Sequence, residues 1–317
     1  MSYLIVNEDI VLRESNTSAK GAGLFATRDV EKGRPVIRER PLLKCENLPV
    51  IGSGRPTVAS SLSQNKLQQF ARLPAGPGHA FRVPVEPRVD VKSHFAAGNG
   101  RLMNTVQYNE IWIVTARCPM VGFHTAAVSH SCSPNAYLCY NKDTDSLGLF
   151  LVRHVKKGEE ITISYFQDDY AVPQSVRARR LQKWNFVCTC VCCTTNSDMS
   201  DFRRMEIKRL FTERNQLDIA LSMHHIHLAP QWGGIAQREV NYVWDIATCI
   251  RMMIRHMKAE GLYGLAMTWV LVDYAEHCVK TGDLRTREAV MEEALVIREM
   301  CLGLSHPSTL YLANRTW

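Results

Sequence analysis

Short apolar runs separated by turn residues dominate the first half of the chain. Up to about residue 170, β-branched and aromatic residues come in short groups interrupted by Gly, Pro and Asn. Such groups are typical of strands, and they lack the regular intervening helices of a doubly wound sheet. The clearest runs are Arg34–Glu39, Ile111–Thr115, Tyr137–Tyr140, Leu147–Val152 and Glu160–Ser164. The pattern predicts several short, mostly antiparallel sheets.

Helical periodicity replaces this pattern in the last part of the chain. From residue 201 to residue 317, apolar residues recur at helical spacing, and the periodic runs contain almost no Gly or Pro. We therefore expect a β-rich region over 1–170, a connecting segment over 171–200 and an all-helical region over 201–317. The predicted fold class is α+β.

Two stretches refine this division. Residues 46–100 begin with a Gly-, Pro- and Ser-rich segment and predict an insertion into the β-rich region, with one short helix near Ser61–Leu73. Near the C-terminus, Arg287–Gly303 and the following Leu304–Leu310 resemble the second helix and the Gly…His-Pro turn of a tetratricopeptide unit of the kinesin-light-chain type. The C-terminal region is therefore expected to be TPR-like.

Composition and charge narrow the class of protein. Hydrophobic residues make up 46% and charged residues 22%, as in ordinary globular proteins. No apolar run approaches the ~20 residues that span a bilayer. The N-terminus lacks the basic region and cleavage site of a signal peptide. We expect an intracellular protein, in the cytoplasm or the nucleus, with no membrane partner.

The basic excess is mild, with a formal net charge of +7. It is far below the dense basic face of a dedicated nucleic-acid binder, so the sequence carries no strong nucleic-acid signal. Two basic clusters are interpreted as solvated helix faces: Arg177, Arg179, Arg180 and Lys183, and Arg203, Arg204, Lys208 and Arg209.

The distribution of the eleven cysteines points to metal binding. Four of them fall within six residues: Cys188, Cys190, Cys192 and Cys193. Such crowding in an intracellular chain indicates metal ligation rather than disulfides. Tetrahedral zinc takes four ligands, and Cys188, Cys190 and Cys193 supply three thiolates. Local spacing alone leaves Cys192 open, although adjacent Cys192 and Cys193 do not comfortably share one ion.

Four motifs carry the chemistry of this chain, and each alone has an ordinary structural explanation. They are Lys20–Ala26 with two glycines, Ser129–Asn135 (SHSCSPN), Lys157–Tyr165 (KGEEITISY) and Trp184–Cys193. Together, in this order and spacing, they resemble SET-domain proteins, closest to the SMYD type and to fungal SET proteins that lack the MYND finger. The resemblance covers residues 1 to about 195.

The resemblance implies S-adenosylmethionine as cofactor, transfer of a methyl group to a lysine amine, and one zinc ion. It places the cofactor among Gly21, Ala22, Gly23, Leu24, Ser129, His130, Tyr165 and Phe186, with Phe186 under the adenine. Tyr165 is the expected catalytic residue, and Trp184 is expected to line the substrate channel. The family takes its fourth zinc ligand from the His-Ser-Cys element, which is Cys132 here. One zinc would then clamp the post-SET segment onto the SET core.

Two departures from the family pattern bear on activity. The family usually has Asn where this chain has Ser129, and a hydroxyl makes fewer hydrogen bonds than an amide. A tyrosine common in the post-SET segment is replaced by Trp184, which offers an indole face but no phenol. Three hypotheses follow: a protein-lysine methyltransferase acting on a histone or non-histone substrate, a non-catalytic SET scaffold that binds a partner, and a SET-fold enzyme acting on a small molecule.

Overall fold

The computed structural model of the chain describes residues 3–5, 7–15, 21–45, 62–76, 101–167, 171–227 and 235–314. Most of the predicted insertion, 46–61 and 77–100, lies outside the described residues. Its remaining part contains helix α1, Gln64–Phe70, which confirms the short helix expected near Ser61–Leu73. Ser63 caps this helix because its side chain accepts a hydrogen bond from the Lys66 amide.

Eleven strands form three small sheets in the described residues. They are β1 Tyr3–Ile5, β2 Ile10–Glu14, β3 Ala22–Ala26, β4 Pro35–Glu39, β5 Leu43–Lys44, β6 Ile111–Ile113, β7 Cys118–Val121, β8 Ser129–His130, β9 Ala136–Asn141, β10 Ser146–Leu151 and β11 Glu160–Ile163. The sheet orders are β1-β2-β3-β11-β8, β4-β10-β9 and β5-β7-β6. In these ladders only the β8–β11 pair is parallel. The expectation of short, mostly antiparallel sheets is confirmed.

The later elements of the described chain are helical. After α2, Arg101–Asn109, and α3, Gln174–Leu181, come α4 Ser197–His227, α5 Ile235–Ala259, α6 Leu265–Thr281, α7 Leu284–Leu302 and α8 Pro307–Ala313. His306 caps α8, and Pro307 occupies its first turn, where a missing amide proton costs nothing. The all-helical C-terminal region is therefore confirmed. Within the described chain, every helix is too short or too polar to cross a membrane.

Strand β9 is shared by two hydrophobic clusters. Successive side chains of a strand point to opposite faces, and here both faces are buried. Leu138 and Tyr140 pack into the cluster of the β-rich region, whereas Tyr137 and Cys139 pack into the cluster formed by the C-terminal helices. The helices thus pack directly on the sheet β4-β10-β9, at the end of which lies the Ser129–Asn135 turn.

Candidate functional site

Four cysteines from two parts of the chain come together in space. The sulfur atoms of Cys132, Cys188, Cys190 and Cys193 all lie within 4.8 Å of one another, and those of Cys132 and Cys193 are 3.5 Å apart. Zinc–sulfur bonds of about 2.3 Å in a tetrahedron place neighbouring sulfurs about 3.8 Å apart. The set matches this spacing closely enough to hold one metal ion. Cys192 is buried but lies outside the group, as its adjacency to Cys193 suggested.

Hydrogen bonds among these thiols raise the pKa of some of them and lower the pKa of others. The hydrogen bond with Cys188 is the largest influence raising the pKa of Cys132. The hydrogen bond with Cys132 is the largest influence lowering the pKa of Cys190. A bound metal requires thiolates, so ion binding would release the shared protons.

The prediction that both basic clusters are solvated helix faces is wrong for two of their members, Arg177 and Arg204. Their side chains are 1% and 0% exposed. Arg177 donates to the Cys192 carbonyl at 3.3 Å and reaches the Cys193 sulfur at 3.7 Å. Arg203 is half-buried, and the remaining members are exposed as expected: Arg179, Arg180, Lys183, Lys208 and Arg209. Four thiolates carry more negative charge than one divalent ion cancels, so buried guanidinium groups near the cluster are electrostatically favourable.

Arg204 connects the cluster to the C-terminal helices. It donates to the Cys132 carbonyl at 2.8 Å and to Glu260 Oε2 at 2.9 Å, and neither charged side chain is exposed. Arg203 also donates to Glu260, at 2.6 Å. From the other side, the Ser133 hydroxyl donates to the Glu260 carbonyl at 3.0 Å. The residues around Cys132 are therefore held by the start of α4 and the end of α5.

Asn135 fastens the turn that precedes β9 to strand β11. Its amide nitrogen donates to the Glu160 carbonyl at 2.8 Å, and its amide oxygen accepts from the Thr162 N–H at 2.7 Å. Beside it, the Ser131 N–H donates to the Ile163 carbonyl. These bonds explain why the Ser129–Asn135 and Lys157–Tyr165 motifs, far apart in sequence, adjoin in the fold.

His130 links this turn to Tyr165 and to the cysteine cluster. The Tyr165 N–H donates to His130 Nδ1 at 3.0 Å. A neutral ring therefore carries its proton on Nε2, which lies 3.4 Å from the Cys132 sulfur. Burial lowers the pKa of His130 to about 3, so the ring is neutral at physiological pH. The imidazole is thus engaged on both sides by the protein.

Tyr165 and Trp184 lie against each other in the interior. Their ring centroids are 4.8 Å apart, and the Tyr165 hydroxyl donates to the Val128 carbonyl at 2.7 Å. Burial raises the pKa of Tyr165, which keeps the phenol protonated. The Trp184 indole is fixed because its N–H donates to the Tyr108 carbonyl at 2.9 Å. The predicted catalytic and channel residues are therefore brought together.

Phe186 reaches the same neighbourhood through a sharp turn. Asn185 adopts a left-handed conformation after the 3₁₀ turn Gln182–Trp184, which redirects the chain. The half-buried Phe186 ring then lies 6.2 Å, centroid to centroid, from that of His130. Trp184, Phe186 and the three clustered cysteines of the connecting segment, Cys188, Cys190 and Cys193, thus follow one another around the edge of the site.

Glu160 is a site residue that the sequence motifs did not single out. Its Oε1 atom accepts hydrogen bonds from the Ser129 hydroxyl at 2.5 Å and from the Ser15 hydroxyl at 2.9 Å. A Cβ atom at Gly23 would collide with the same oxygen. Gly23 and Ser129, both predicted to contact the cofactor, therefore meet at one carboxylate. Alternation along β11 could have indicated it, because Glu160 must share a face with Thr162 and point away from the buried Ile161.

This arrangement agrees with the comparisons to known proteins. Residues 21–166, just under half of the chain, match the family model described as "SET domain". The chain therefore contains a SET domain, and its predicted resemblance is confirmed.

Two curated relatives are similar over shorter stretches. Histone-lysine N-methyltransferase SET5 of Saccharomyces cerevisiae (strain YJM789) is 34% identical over 79 residues, which are 25% of this chain and 14% of that protein. The SET5 protein of Meyerozyma guilliermondii is 35% identical over 68 residues, 21% of this chain and 14% of that protein. The chain thus spans about one seventh of the length of these relatives.

Proposed function

We propose that the chain is an S-adenosylmethionine-dependent methyltransferase acting on a lysine amine of a protein, histone or non-histone. The observation that supports this most is the buried contact between Tyr165 and Trp184 at the end of β11. The SET domain over residues 21–166 supports the reaction class. The names of the two relatives, histone-lysine N-methyltransferases, support a protein as the substrate.

The residues predicted to hold the cofactor are suited to S-adenosylmethionine, which carries positive charge and a purine base. Strand β3 buries the Ala22 and Leu24 side chains, so we expect Gly21–Leu24 to contribute backbone groups. The Glu160 carboxylate and the Ser129 hydroxyl lie beside Gly23 and make the surface there polar and acidic. Phe186 offers an aromatic face on which adenine can stack. The Tyr165 N–H and the Cys132 sulfur already contact the two ring nitrogens of His130. His130 would therefore contribute by holding the Ser129–Asn135 turn in place.

Tyr165 would orient the lysine amine. The bound cofactor supplies an electrophilic methyl group on a sulfonium, and the amine must reach it neutral although free lysine has a pKa near ~10.4. A dry channel lowers that pKa, because burial disfavours the ammonium form. Since Tyr165 donates its proton to the Val128 carbonyl, its oxygen is oriented as an acceptor for the amine N–H. The Trp184 face would favour a methylated, cationic product.

One zinc ion at Cys132, Cys188, Cys190 and Cys193 completes the proposal. An all-thiolate tetrahedral set is typical of structural zinc, and it would fasten the post-SET segment over 171–200 to the SET domain. We retain the domain bounds 1–170, 171–200 and 201–317, the TPR-like character of the helices, and a location in the cytoplasm or the nucleus as parts of the same proposal.

Calorimetric titration of the zinc-loaded protein with S-adenosylmethionine, followed by methyl transfer to a lysine peptide array, tests the proposed function. We expect one cofactor per chain and methylation of at least one peptide lysine. Absence of cofactor binding would contradict the proposal in favour of the non-catalytic scaffold. Cofactor binding with transfer to small amines but to none of the peptides or intact histones would instead favour the small-molecule enzyme.

A further inference from the structure

Three parts of the five-stranded sheet converge on the Glu160 carboxylate. Ser15 follows β2, Gly23 lies in β3 and Ser129 lies in β8, and all three adjoin Glu160 Oε1. The register explains this, because β11 pairs with β3 on one side and with β8 on the other. Glu160 opposes Phe25, and Gly23 lies two residues away on the same face of β3. The absence of a side chain at Gly23 creates the space that the carboxylate occupies.

The Ser129–Glu160 hydrogen bond determines what a ligand meets at this place. A serine hydroxyl has one proton, and here Ser129 donates it to Glu160. The pair therefore presents an anionic acceptor beside Gly23. An asparagine amide at position 129 would instead present both a donor and an acceptor. The matching ligand group is a cationic donor, and the methionine end of the cofactor offers one, its α-ammonium group.

We propose that Glu160 binds the α-ammonium group of the cofactor and makes the site selective for it. This inference rests on the proposed function, because it assumes that S-adenosylmethionine binds beside Gly23. The Glu160 carboxylate would compensate for the hydrogen bonds that Ser129 cannot make, because a hydrogen bond to a charged group is stronger than a neutral one. Ser15 and Ser129 act as positioning residues, since each holds the carboxylate through Oε1.

The test compares two ligands that differ at one group. They are S-adenosylhomocysteine and its analogue in which hydrogen replaces the α-amino group, both titrated calorimetrically into the zinc-loaded protein. We expect the wild type to prefer the amino ligand by roughly 10- to 100-fold, the range for a hydrogen bond to a charged group. Glu160→Gln should abolish this preference. Glu160→Asp, which keeps the charge on a shorter side chain, should retain part of it.

Glu14→Gln is the matched control, because it removes one carboxylate from the exposed surface of neighbouring β2. We expect it to bind both ligands as the wild type does. Thermal melting and zinc content show whether each variant is folded. A wild type that binds both ligands equally, or a Glu160→Gln variant that keeps the preference, would overturn the inference alone. Failure of the wild type to bind S-adenosylhomocysteine would overturn the proposed function together with it.

Discussion

The SET domain and the C-terminal helices are both anchored at the four-cysteine cluster, but by different interactions. The SET domain contributes a ligand, Cys132, to the group that can hold the metal. Among the described residues, the helices contribute no ligand to that group. They contribute the buried Arg204–Glu260 ion pair, which holds the Cys132 carbonyl. The first attachment would depend on metal–thiolate bonds once an ion is bound, and the second depends on two buried charges that are stable only together.

Loss of the ligand Cys132 should have the largest effect, because this residue belongs to the four-cysteine group and its carbonyl is the one that Arg204 holds. We expect Cys132→Ser to lower zinc well below one ion per chain and to unfold the connecting segment, since structural zinc contributes an apparent ~10–16 kcal/mol in small domains. Cys192→Ser is the control and should keep one zinc, because Cys192 lies outside the group. Metal analysis of protein purified without chelators decides. Zinc retained by Cys132→Ser as tightly as by the wild type would contradict the ligand set.

Breaking the buried ion pair should destabilise the attachment of the helices while the ligand set stays complete. Glu260→Gln leaves Arg204 buried without its counter-charge, which typically costs about 3–5 kcal/mol. Glu213→Gln breaks an exposed pair with Arg209 and should cost about 0–1 kcal/mol. Urea unfolding of the zinc-loaded variants measures both free energies. Equal losses in the two variants would show that burial of the pair does not matter.

Tyr165→Phe should act within the SET domain alone. We expect the methylation rate to fall roughly 10²-fold while cofactor affinity changes little, because the hydroxyl acts mainly in the transition state. Tyr108→Phe is the control, since it removes a buried hydroxyl that donates to the Trp184 carbonyl at 3.3 Å without touching Tyr165's own hydroxyl. Retention of most activity in Tyr165→Phe, measured as initial rates at saturating cofactor, would exclude the phenol from catalysis.

The smallest effect on stability is expected at Glu39, whose carboxylate accepts hydrogen bonds from the His124 and Thr125 N–H groups in the turn before β8. Burial by itself raises the pKa of Glu39, but hydrogen bonds from His124 and Thr125 outweigh it and keep the pKa below its ordinary value of 4.5. The carboxylate therefore stabilises the fold above pH 4.5, and this contribution is lost as the pH falls through the lower folded-state pKa.

Glu39→Gln should cost about 1.5–3 kcal/mol at neutral pH, the scale of a hydrogen bond to a charged group. The difference in unfolding free energy between wild type and Glu39→Gln should shrink as the pH falls below 4.5. Glu31→Gln, which removes an exposed carboxylate, is the control and should change the unfolding free energy at neutral pH by no more than about 0.5 kcal/mol. A constant gap between wild type and Glu39→Gln across the acid range would contradict the ionic role of Glu39.

Local patterns were sufficient for the sheets and the helices, and they limited the candidate ligands of the connecting segment to Cys188, Cys190, Cys192 and Cys193. Cys188, Cys190 and Cys193 are neighbours in sequence, so their spacing alone predicts a group that can hold a metal ion. Cys132 required the family resemblance, because its distance from the others is closed only by tertiary folding. Arg204 was misinterpreted for the same reason: its role depends on Glu260 and on a carbonyl far along the chain, and a basic helix face does not show which residue is buried.

Strand β9 makes the β-rich half dependent on the C-terminal helices, because they cover one of its apolar faces. Its Tyr137 and Cys139 side chains, with Phe150 on β10, are covered by the C-terminal helices. A SET domain cut away from those helices would present this apolar strip to water, where strands with exposed hydrophobic faces associate with one another. We therefore expect the β-rich half to depend for its solubility on the C-terminal helices, which carry none of its sequence motifs.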